Sequence, residues 1–349
     1  MKKNKKNHLF KIVKDMQKKP KTWLITGVAG FIGSNLLERL LNLNQKVVGI
    51  DNFITGYRSN LDNVQASISS TKWKNFKFIT GDICNFQDCK KCLIKVDYVL
   101  HQAALGSVPR SIKDPLKTHK HNVNGFLNML LAAKNSGVKN FVYASSSSVY
   151  GDHQILPKVE DKTGNLLSPY AATKSINEIY SSIFFKNYNF KSIGLRYFNV
   201  FGKRQDPNGS YAAVIPKWIV SMIQNKRIKI FGDGKTTRDF CYIENVIQAN
   251  ILAALTKKNI NQVFNVAVGN KISLNDLFIS IKKNLAINNI FYKKKPVYKN
   301  FRDGDIRHSL ADISKIKKEL KYLPTHPLSD GILALVPWYI KNRKLIKVK

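Results

Sequence analysis

The stretch TWLITGVAGFIGSNLLERLLNLNQKVVGIDN, residues 22–52, decides the fold of this chain. A short apolar run leads into a glycine-rich turn, then leucines at helical spacing, then a second apolar run that ends on Asp51. This order predicts a strand, a tight turn, a helix and a second strand. Gly27 allows the turn, Gly30 lets the backbone approach a pyrophosphate, and Gly33 lets the helix pack closely on the sheet.

The acid at the end of the second run indicates which dinucleotide binds. A pyrophosphate would lie at the N-terminus of the predicted helix, where free backbone N–H groups and the helix dipole favour negative charge. The Asp51 carboxylate can accept hydrogen bonds from a ribose diol and would repel a 2′-phosphate, so we expect NAD rather than NADP. Phe31, Ile32, Asn52 and Gly56 complete the predicted cofactor residues of this region.

Length and composition indicate a soluble globular protein. The chain has 349 residues, of which 44% are hydrophobic, and it can bury a large core. No apolar run approaches the roughly 20 residues of a membrane span. The basic N-terminus lacks the apolar segment of a secretory signal. We therefore expect a cytoplasmic protein.

The formal net charge of +36 admits three explanations. Nucleic-acid binding would be expected to show a basic patch interleaved with aromatic residues, whereas the charge here is spread along the chain. We therefore expect no nucleic-acid partner. General lysine enrichment together with an anionic small substrate is the simplest explanation, and weak attraction to a membrane surface stays open.

Residues 1–20 form a separate lysine-rich segment. Leu9, Ile12, Val13 and Met16 recur at helical spacing and predict a basic amphipathic helix. Such a helix could dock on the protein's own surface, lie on a membrane or remain frayed, and the first arrangement is the expected one.

The cysteines do not indicate a metal centre. Cys84, Cys89 and Cys92, with a distant Cys241, match the spacing of one iron–sulfur pattern. The triplet lies where a dinucleotide-binding fold needs a connecting helix, and free thiols in a reducing compartment are the simpler interpretation. We expect no metal site.

Further apolar runs continue the sheet at 76–79, 96–100, 140–144, 195–202 and 263–267. Asp82 follows the third strand, where it could reach the adenine amino group, cap the next helix, or do both. His101 ends the fourth strand and is interpreted as a packed residue rather than a catalyst. The remaining predicted cofactor residues are Ile83, Gln102, Ala103, Ala104 and Val200.

A pair of residues on one helix carries the predicted chemistry. The fifth strand runs into the serines at 145–148, and Tyr170 and Lys174 then lie four residues apart on one helical face. An adjacent ammonium stabilises a phenolate, so we expect Lys174 to lower the pKa of Tyr170 towards neutrality. A serine hydroxyl nearby can hold a substrate alcohol.

From about Lys21 onward the chain resembles the extended short-chain dehydrogenases that epimerise nucleotide sugars. The spacing Gly-x-x-Gly-x-x-Gly fits that superfamily. The other matching motifs are DNFITG, GDI, HQAA, SSSSVYGD, SPYAATK, LRYFNVFG, FGDGKTTRDFCYIENV and FRDGDIRHS. Within the family, the resemblance is strongest to bacterial members that act at carbon 4 of N-acetylated UDP-sugars.

The resemblance implies a role for each motif. Tyr170 would be the catalytic base, Lys174 its partner in both catalysis and NAD binding, and Ser146 the holder of the sugar hydroxyl. Ser309 would occupy the position where galactose-preferring relatives carry a tyrosine, and its small size leaves room for an N-acetyl group. The UDP-sugar would contact Ser146, Tyr170 and a set made up of Gly106, Ser107, Ser147, Asn199, Arg238, Arg302, Asp305 and Ser309.

The expected architecture is an α/β fold with a doubly wound parallel sheet. An NAD-binding domain would span residues 21–202, with returning segments near 239–268, and a smaller substrate-binding lobe would occupy 203–349. By analogy, helices near 119–136 and 170–187 would pair in the four-helix interface of a homodimer. The expected pathway is the biosynthesis of a surface polysaccharide.

Three alternatives to the N-acetylhexosamine stay open. The first is the corresponding uronic acid, whose carboxylate could pair with Arg110 or Lys203, and the second is UDP-glucose or UDP-galactose. The third is a non-catalytic NAD-binding or RNA-binding protein that reuses the fold. Dehydratases and decarboxylases of the superfamily need an acid after the catalytic hydroxyl, and Ser147 stands there instead.

Overall fold

A seven-stranded parallel sheet forms the centre of the protein. The computed structural model describes residues 2–208, 213–301 and 306–342, with side chains from Phe10 onward. In chain order, the strands are β1 (Thr22–Thr26), β2 (Lys46–Asp51), β3 (Phe76–Thr80), β4 (Tyr98–His101), β5 (Asn140–Ser146), β6 (Ser192–Tyr197), β7 (Val200–Phe201), β8 (Lys229–Phe231), β9 (Thr237–Arg238), β10 (Cys241–Tyr242), β11 (Gln262–Val266), β12 (Ile272–Ser273) and β13 (Val297–Lys299).

Helices connect most of these strands. They are α1 (Lys2–Lys18), α2 (Phe31–Asn42), α3 (Arg58–Ser67), α4 (Ser70–Trp73), α5 (Phe86–Cys92), α6 (Val108–Lys113), α7 (Pro115–His119), α8 (Gly125–Asn135), α9 (Pro169–Tyr188), α10 (Val214–Ile223), α11 (Ile243–Leu255), α12 (Leu274–Ile287), α13 (Ser314–Glu319) and α14 (Leu328–Lys341). A π-helical turn at Lys120–Asn124 interrupts the long helix predicted at 119–136.

The strand order confirms the predicted doubly wound fold. The order is β3-β2-β1-β4-β5-β6-β11, with β1 hydrogen-bonded to β2 on one side and to β4 on the other. The chain reverses its winding at β1, and ligands bind outside the carboxyl ends of the strands at such a point. The run predicted at 263–267 returns to the sheet as β11, parallel to β6.

Strand β1 alternates between the two faces of the sheet. Trp23 and Ile25 belong to one buried cluster, whereas Leu24 belongs to the cluster on the other side. This is the alternation of a strand covered on both faces. The leucines of α2 predicted to face the core, Leu36, Leu37, Leu40 and Leu41, are fully buried.

The glycine turn after β1 leaves no room for side chains. Gly27 has a φ of 67°, and a Cβ added there would lie 2.9 Å from the Ala103 backbone. A Cβ added at Gly33 would lie only 2.1 Å from the Gly27 carbonyl oxygen. The third glycine therefore lets α2 approach the turn itself, a closer contact than the predicted one with the sheet.

The basic N-terminal segment is helical and docks on the protein's own surface. Met16 is buried, and Ile12 and Val13 pack against the core. The buried Gln45 side chain donates to the Met16 carbonyl and accepts from the Trp23 indole N–H at 3.1 Å. These contacts confirm the expected arrangement for the last turns of α1. Leu9 lies outside the residues whose side chains are described.

One buried apolar cluster reaches from Met16 to Tyr339 and so connects the sheet to the C-terminal elements. Because this core contains residues from both sides of position 203, the boundary between an NAD-binding domain and a substrate-binding lobe at that position stays a prediction. Cys89 and Cys92 lie buried on α5, where a connecting helix was predicted. Within the described ranges, no helix is both long enough and apolar enough to span a bilayer.

The structure confirms His101 as a packed residue at the end of β4. Its ring stacks on Phe141 at 5.6 Å between centroids, and its Nδ1 lies 3.0 Å from the Thr26 hydroxyl. Burial lowers the pKa of His101 from 6.5 to about 3. The folded protein therefore holds this imidazole neutral at pH values where the unfolded chain is protonated.

This difference predicts a component of acid instability. As the pH falls from 6.5 towards 3, His101 binds a proton in the unfolded chain but stays neutral in the folded protein. The free energy of unfolding therefore decreases. His101→Gln should remove up to about 1.4 kcal/mol per pH unit of that dependence. Urea denaturation at several pH values measures it, with the exposed His119→Gln as control. An unchanged slope in His101→Gln would contradict the assignment.

Candidate active site

A cleft of about 310 Å³ opens at the carboxyl edge of the sheet, around the glycine turn. The strands β1, β2 and β4 end there because parallel strands direct their carboxyl ends to one edge. The cleft brings together most of the predicted cofactor residues, namely Gly27, Gly30, Phe31, Ile32, Gly33, Asp51, Asn52, Gly56, Ile83, Gln102, Ala103 and Ala104. Gly106, assigned to the substrate from the sequence, lines this cleft too.

Asp51 is held rigidly at the edge of the cleft. One carboxylate oxygen accepts the Ala29 N–H at 2.9 Å, and the other accepts the Phe53 N–H at 2.8 Å. Burial raises the pKa of Asp51, while these backbone N–H groups oppose the shift. The Asn52 N–H also binds this carboxylate, which leaves about one of its four lone pairs for a ribose hydroxyl.

Asp82 lies at the edge of the cleft but does not cap the next helix. Its carboxylate accepts the Cys84 N–H at 2.8 Å, while Asn85 caps α5 by accepting from Gln87. The capping half of the prediction is therefore wrong, because the turn after β3 places the helix start three residues further on. A hydrogen bond to Asn52 connects Asp82 to the cleft.

Tyr170 and Ser146 meet beside the end of β5. Ser146 is the last residue of that strand, and Tyr170 lies in the first turn of α9, whose N-terminus Ser168 caps by accepting the Ala171 N–H. The side chains of Ser146 and Tyr170 share a hydrogen bond that favours the phenolate. The structure thus brings together two of the three predicted catalytic side chains.

The expected effect of Lys174 on Tyr170 is not present in the chain alone. Burial raises the pKa of Tyr170, and the hydrogen bond with Ser146 offsets only part of the shift. Lys174 donates to the Ala144 carbonyl at 2.7 Å and lies 5.9 Å from the Tyr170 ring. Burial lowers the pKa of this ammonium to about 8. The prediction considered the charge of Lys174 but not the desolvation that both groups share.

A second cavity, of about 680 Å³, lies on the side of β6 and the C-terminal elements. Asn199 and Arg238 line it, as expected of substrate residues. Val200, assigned to the cofactor from the sequence, also lies here and not in the glycine-lined cleft. The loop from Gly106 to Pro109 separates the two spaces, because its first residue lines the cleft and its last lines the cavity.

The second cavity is basic and partly aromatic. Its lining includes residues that the sequence analysis missed, among them Lys217, Trp218, Arg227, Lys229 and Phe231. Cations of this kind suit a diphosphate, and aromatic rings suit a base. No sequence signal could have found these lysines, because lysine is abundant throughout the chain.

The other predicted substrate residues have different positions. The backbone N–H of Ser309 donates to the Thr237 carbonyl at 3.1 Å, next to Arg238. Ser107 has a φ of 105°, an uncommon conformation for a non-glycine residue, in the loop between the two spaces. Ser147 begins the turn after β5. Arg302 and Asp305 lie outside the described residues.

The sequence of the chain is similar to a known protein family and to individual members of it. The family model of NAD dependent epimerases/dehydratases matches residues 23–267. A UDP-glucuronate 4-epimerase from Thermodesulfobacterium geofontis is 38% identical, over 93% of this chain and 98% of its own.

Two solved structures are similar over nearly their full length. One is a UDP-N-acetylglucosamine 4-epimerase from Methanobrevibacter ruminantium in complex with UDP-N-acetylmuramic acid, 38% identical with a TM-score of 0.84 over 93% of this chain and 99% of that one. The other is a UDP-glucuronic acid 4-epimerase from Bacillus cereus with UDP-glucuronic acid and NAD, 35% identical with a TM-score of 0.80 over 92% and 99%.

The fold and the glycine turn agree with these comparisons. The cleft that contains Asp51 and the three glycines fits NAD, the cofactor of the family. The chain therefore belongs to the family of NAD-dependent epimerases and dehydratases, in its extended short-chain dehydrogenase branch.

Proposed function

We propose that this NAD-dependent nucleotide-sugar 4-epimerase interconverts UDP-N-acetylglucosamine and UDP-N-acetylgalactosamine. The observation that carries the proposal is the position of Ser146 and Tyr170 at the end of β5. On one side β4 runs into the glycine-lined cleft, and on the other β6 runs into the basic cavity. A sugar held there would face both the tyrosine and the cofactor.

The residues of the chain would move the proton of the reaction. NAD, when bound in the cleft, supplies a hydride acceptor and a positive charge beside the sugar. Tyr170, as the phenolate, removes the proton of the carbon-4 hydroxyl, and Ser146 holds the oxygen by a hydrogen bond. A 4-keto sugar results. Tyr170 returns the proton after hydride has been added back to the opposite face.

Inversion requires the sugar to turn while the nucleotide stays bound. The basic cavity is suited to anchor a diphosphate through Lys217, Arg227, Lys229 and Arg238. Binding energy from this remote part of the substrate keeps the small keto-sugar in the site as it rotates. A tightly held nucleotide and a loosely held sugar would together allow hydride to return to the opposite face of carbon 4.

Two observations favour an N-acetylated sugar over its uronic acid. Lys203, a candidate partner for a uronate carboxylate, already pairs with Glu38 at 2.6 Å. Arg110, the other candidate, shares a surface cavity with Ile54 and Thr55 of the loop beside the cofactor cleft. Ser309, a small residue next to Arg238, suits an N-acetyl group and so favours either N-acetylated sugar over UDP-glucose. The uronic acid is the second candidate, because the relative from Thermodesulfobacterium geofontis acts on UDP-glucuronate.

We further propose a homodimer, a cytoplasmic location and a role in the biosynthesis of a surface polysaccharide. Support for the dimer comes from exposed apolar side chains on α9 and on the helices that pack against it. Ile179 and Ile183 of α9 are 55% and 43% exposed, and Leu116 of α7 is 83% exposed. Helices α6, α7 and α8 all contact α9, so these side chains belong to one helical layer.

Tyr170→Phe tests the catalytic role. Loss of the hydroxyl removes the acid–base group, so we expect turnover to fall by roughly 10²–10⁴-fold. NAD binding, measured by fluorescence titration, should persist because the phenyl ring keeps its place. Tyr188→Phe, at the exposed end of α9, is the matched control. A variant that retains most of the wild-type activity would contradict the role assigned to Tyr170.

A substrate panel tests the sugar. UDP-N-acetylglucosamine should be converted with a higher kcat/KM than UDP-glucose or UDP-N-acetylglucosaminuronate. Ser309→Tyr should lower kcat/KM for the N-acetylated sugar at least about tenfold and leave UDP-glucose nearly unaffected, because the added ring fills the space of the acetyl group. Preference for the uronic acid would reject the proposed substrate while leaving 4-epimerisation intact.

Ile179→Lys tests the dimer. A lysine in a buried helical interface would leave its ammonium desolvated and unpaired, so the variant should elute as a monomer in gel filtration. Ile279→Lys on α12 introduces the same charge at an exposed position outside α9 and should keep the wild-type elution volume. Elution of the wild-type protein as a monomer at micromolar concentration would contradict the proposed dimer.

A further inference from the structure

Lysines stand at the amino end of every strand of the seven-stranded sheet. Each strand begins with a lysine or has one within the four preceding residues. In chain order these are Lys21, Lys46, Lys74, Lys95, Lys139, Lys191 and Lys258. The four residues that follow each of the same strands contain neither lysine nor arginine. General lysine enrichment would affect both edges of the sheet alike, and it does not explain this asymmetry.

Because the strands are parallel, these lysines lie along one edge. Neighbouring strands are about 4.8 Å apart, so seven strands place them in a row roughly 30 Å long. Two members of the row are neutralised, since Lys139 pairs with Asp97 and Lys258 pairs with Glu319.

The side chains of Lys46, Lys74 and Lys95 are exposed. None of these three lysines forms an ion pair with a described residue. Lys46 begins β2, and Lys74 and Lys95 precede β3 and β4, on the half of the sheet that lies beside α1. We call these three lysines, with Lys18, Lys19 and Lys21, the amino-edge face.

Helix α1 adds charge to this face. Its last turns are fixed next to the start of β2, because Gln45 donates to the Met16 carbonyl and precedes Lys46 in the chain. Lys18 and Lys19 at the end of the helix are exposed. Asp15 is the only acid in α1, so the helix contributes a strong excess of positive charge.

An apolar side chain protrudes from the same edge. Ile94, in the turn directly before Lys95, is 69% exposed. Phe10 on α1 is exposed to the same degree. A basic surface with protruding apolar side chains is the combination by which peripheral proteins bind anionic bilayers, since the charge attracts the head groups and the apolar group enters among them. A nucleic acid would engage the lysines without requiring Ile94.

We propose that the amino-edge face binds the surface of a bilayer containing anionic phospholipid. Lys46, Lys74 and Lys95 contact the head groups, and Ile94 inserts between them. The two cavities of the site open at the opposite edge of the sheet, one strand length of roughly 17–20 Å away. The site therefore stays accessible to a soluble substrate while the protein lies on the membrane.

Co-sedimentation with vesicles tests the proposal. The full chain should bind vesicles containing phosphatidylglycerol and should not bind pure phosphatidylcholine at physiological salt. The triple variant Lys46→Gln, Lys74→Gln and Lys95→Gln should lose about fivefold in partitioning per lysine, or roughly a hundredfold in total. Ile94→Ser should lower binding several-fold at unchanged charge.

Matched controls separate this face from the charge of the whole protein. Lys271→Gln, Lys282→Gln and Lys283→Gln remove the same charge from exposed positions on and before α12, and Ile287→Ser removes an apolar side chain that is 68% exposed. Both controls should bind as the wild type does. Epimerase turnover and circular dichroism should be unchanged in every variant.

Three outcomes would overturn the proposal. In the first, pure phosphatidylcholine binds the wild type equally well. In the second, the α12 triple variant loses as much binding as the amino-edge triple variant, which would indicate general charge. In the third, Ile94→Ser binds vesicles as the wild type does while duplex DNA competes for the lysines, which would indicate a nucleic-acid surface instead.

Discussion

Seven parallel strands fix the positions of the functional residues in this protein. Their alignment sends every carboxyl end to one edge of the sheet and every amino end to the other. The first edge carries glycines, an acid, serines and amides, whereas the second carries lysines. Residues that are far apart in the chain, such as Asp51 and Ser146, come to the same edge because each ends a strand. The two edges can therefore have separate chemistry on one scaffold.

Tyr170 and Lys174, the predicted catalytic pair, illustrate how burial competes with charge. An ammonium near a phenol favours the phenolate, but both groups lose hydration in the same site. In this protein, burial raises the pKa of Tyr170 and lowers that of Lys174 to about 8. The site is therefore not fully activated by its own side chains. Bound NAD would bring a positively charged nicotinamide ring, and a cation near the phenol favours the phenolate.

Much of the fold and part of the site could be predicted because the signals are local. The glycine turn, the leucine face of α2 and the acid after β2 follow from contacts between residues near in sequence, and the structure places them as expected. The tyrosine and lysine share a helix face by spacing alone. Val200 and Asp82 were harder to predict, since one strand end can face either cavity, and a turn of three residues decides which side chain caps α5.

Periodicity and spacing were enough to predict the doubly wound sheet, the dinucleotide turn and the residue types of the predicted catalytic pair, because these signals act over short stretches of chain. Folding in three dimensions set the pKa shifts of that pair, the lysines and aromatic rings of the second cavity, and the pairing of Lys203 with Glu38. These features depend on desolvation and on contacts between segments that are distant in the chain. Neither can be read from the sequence alone.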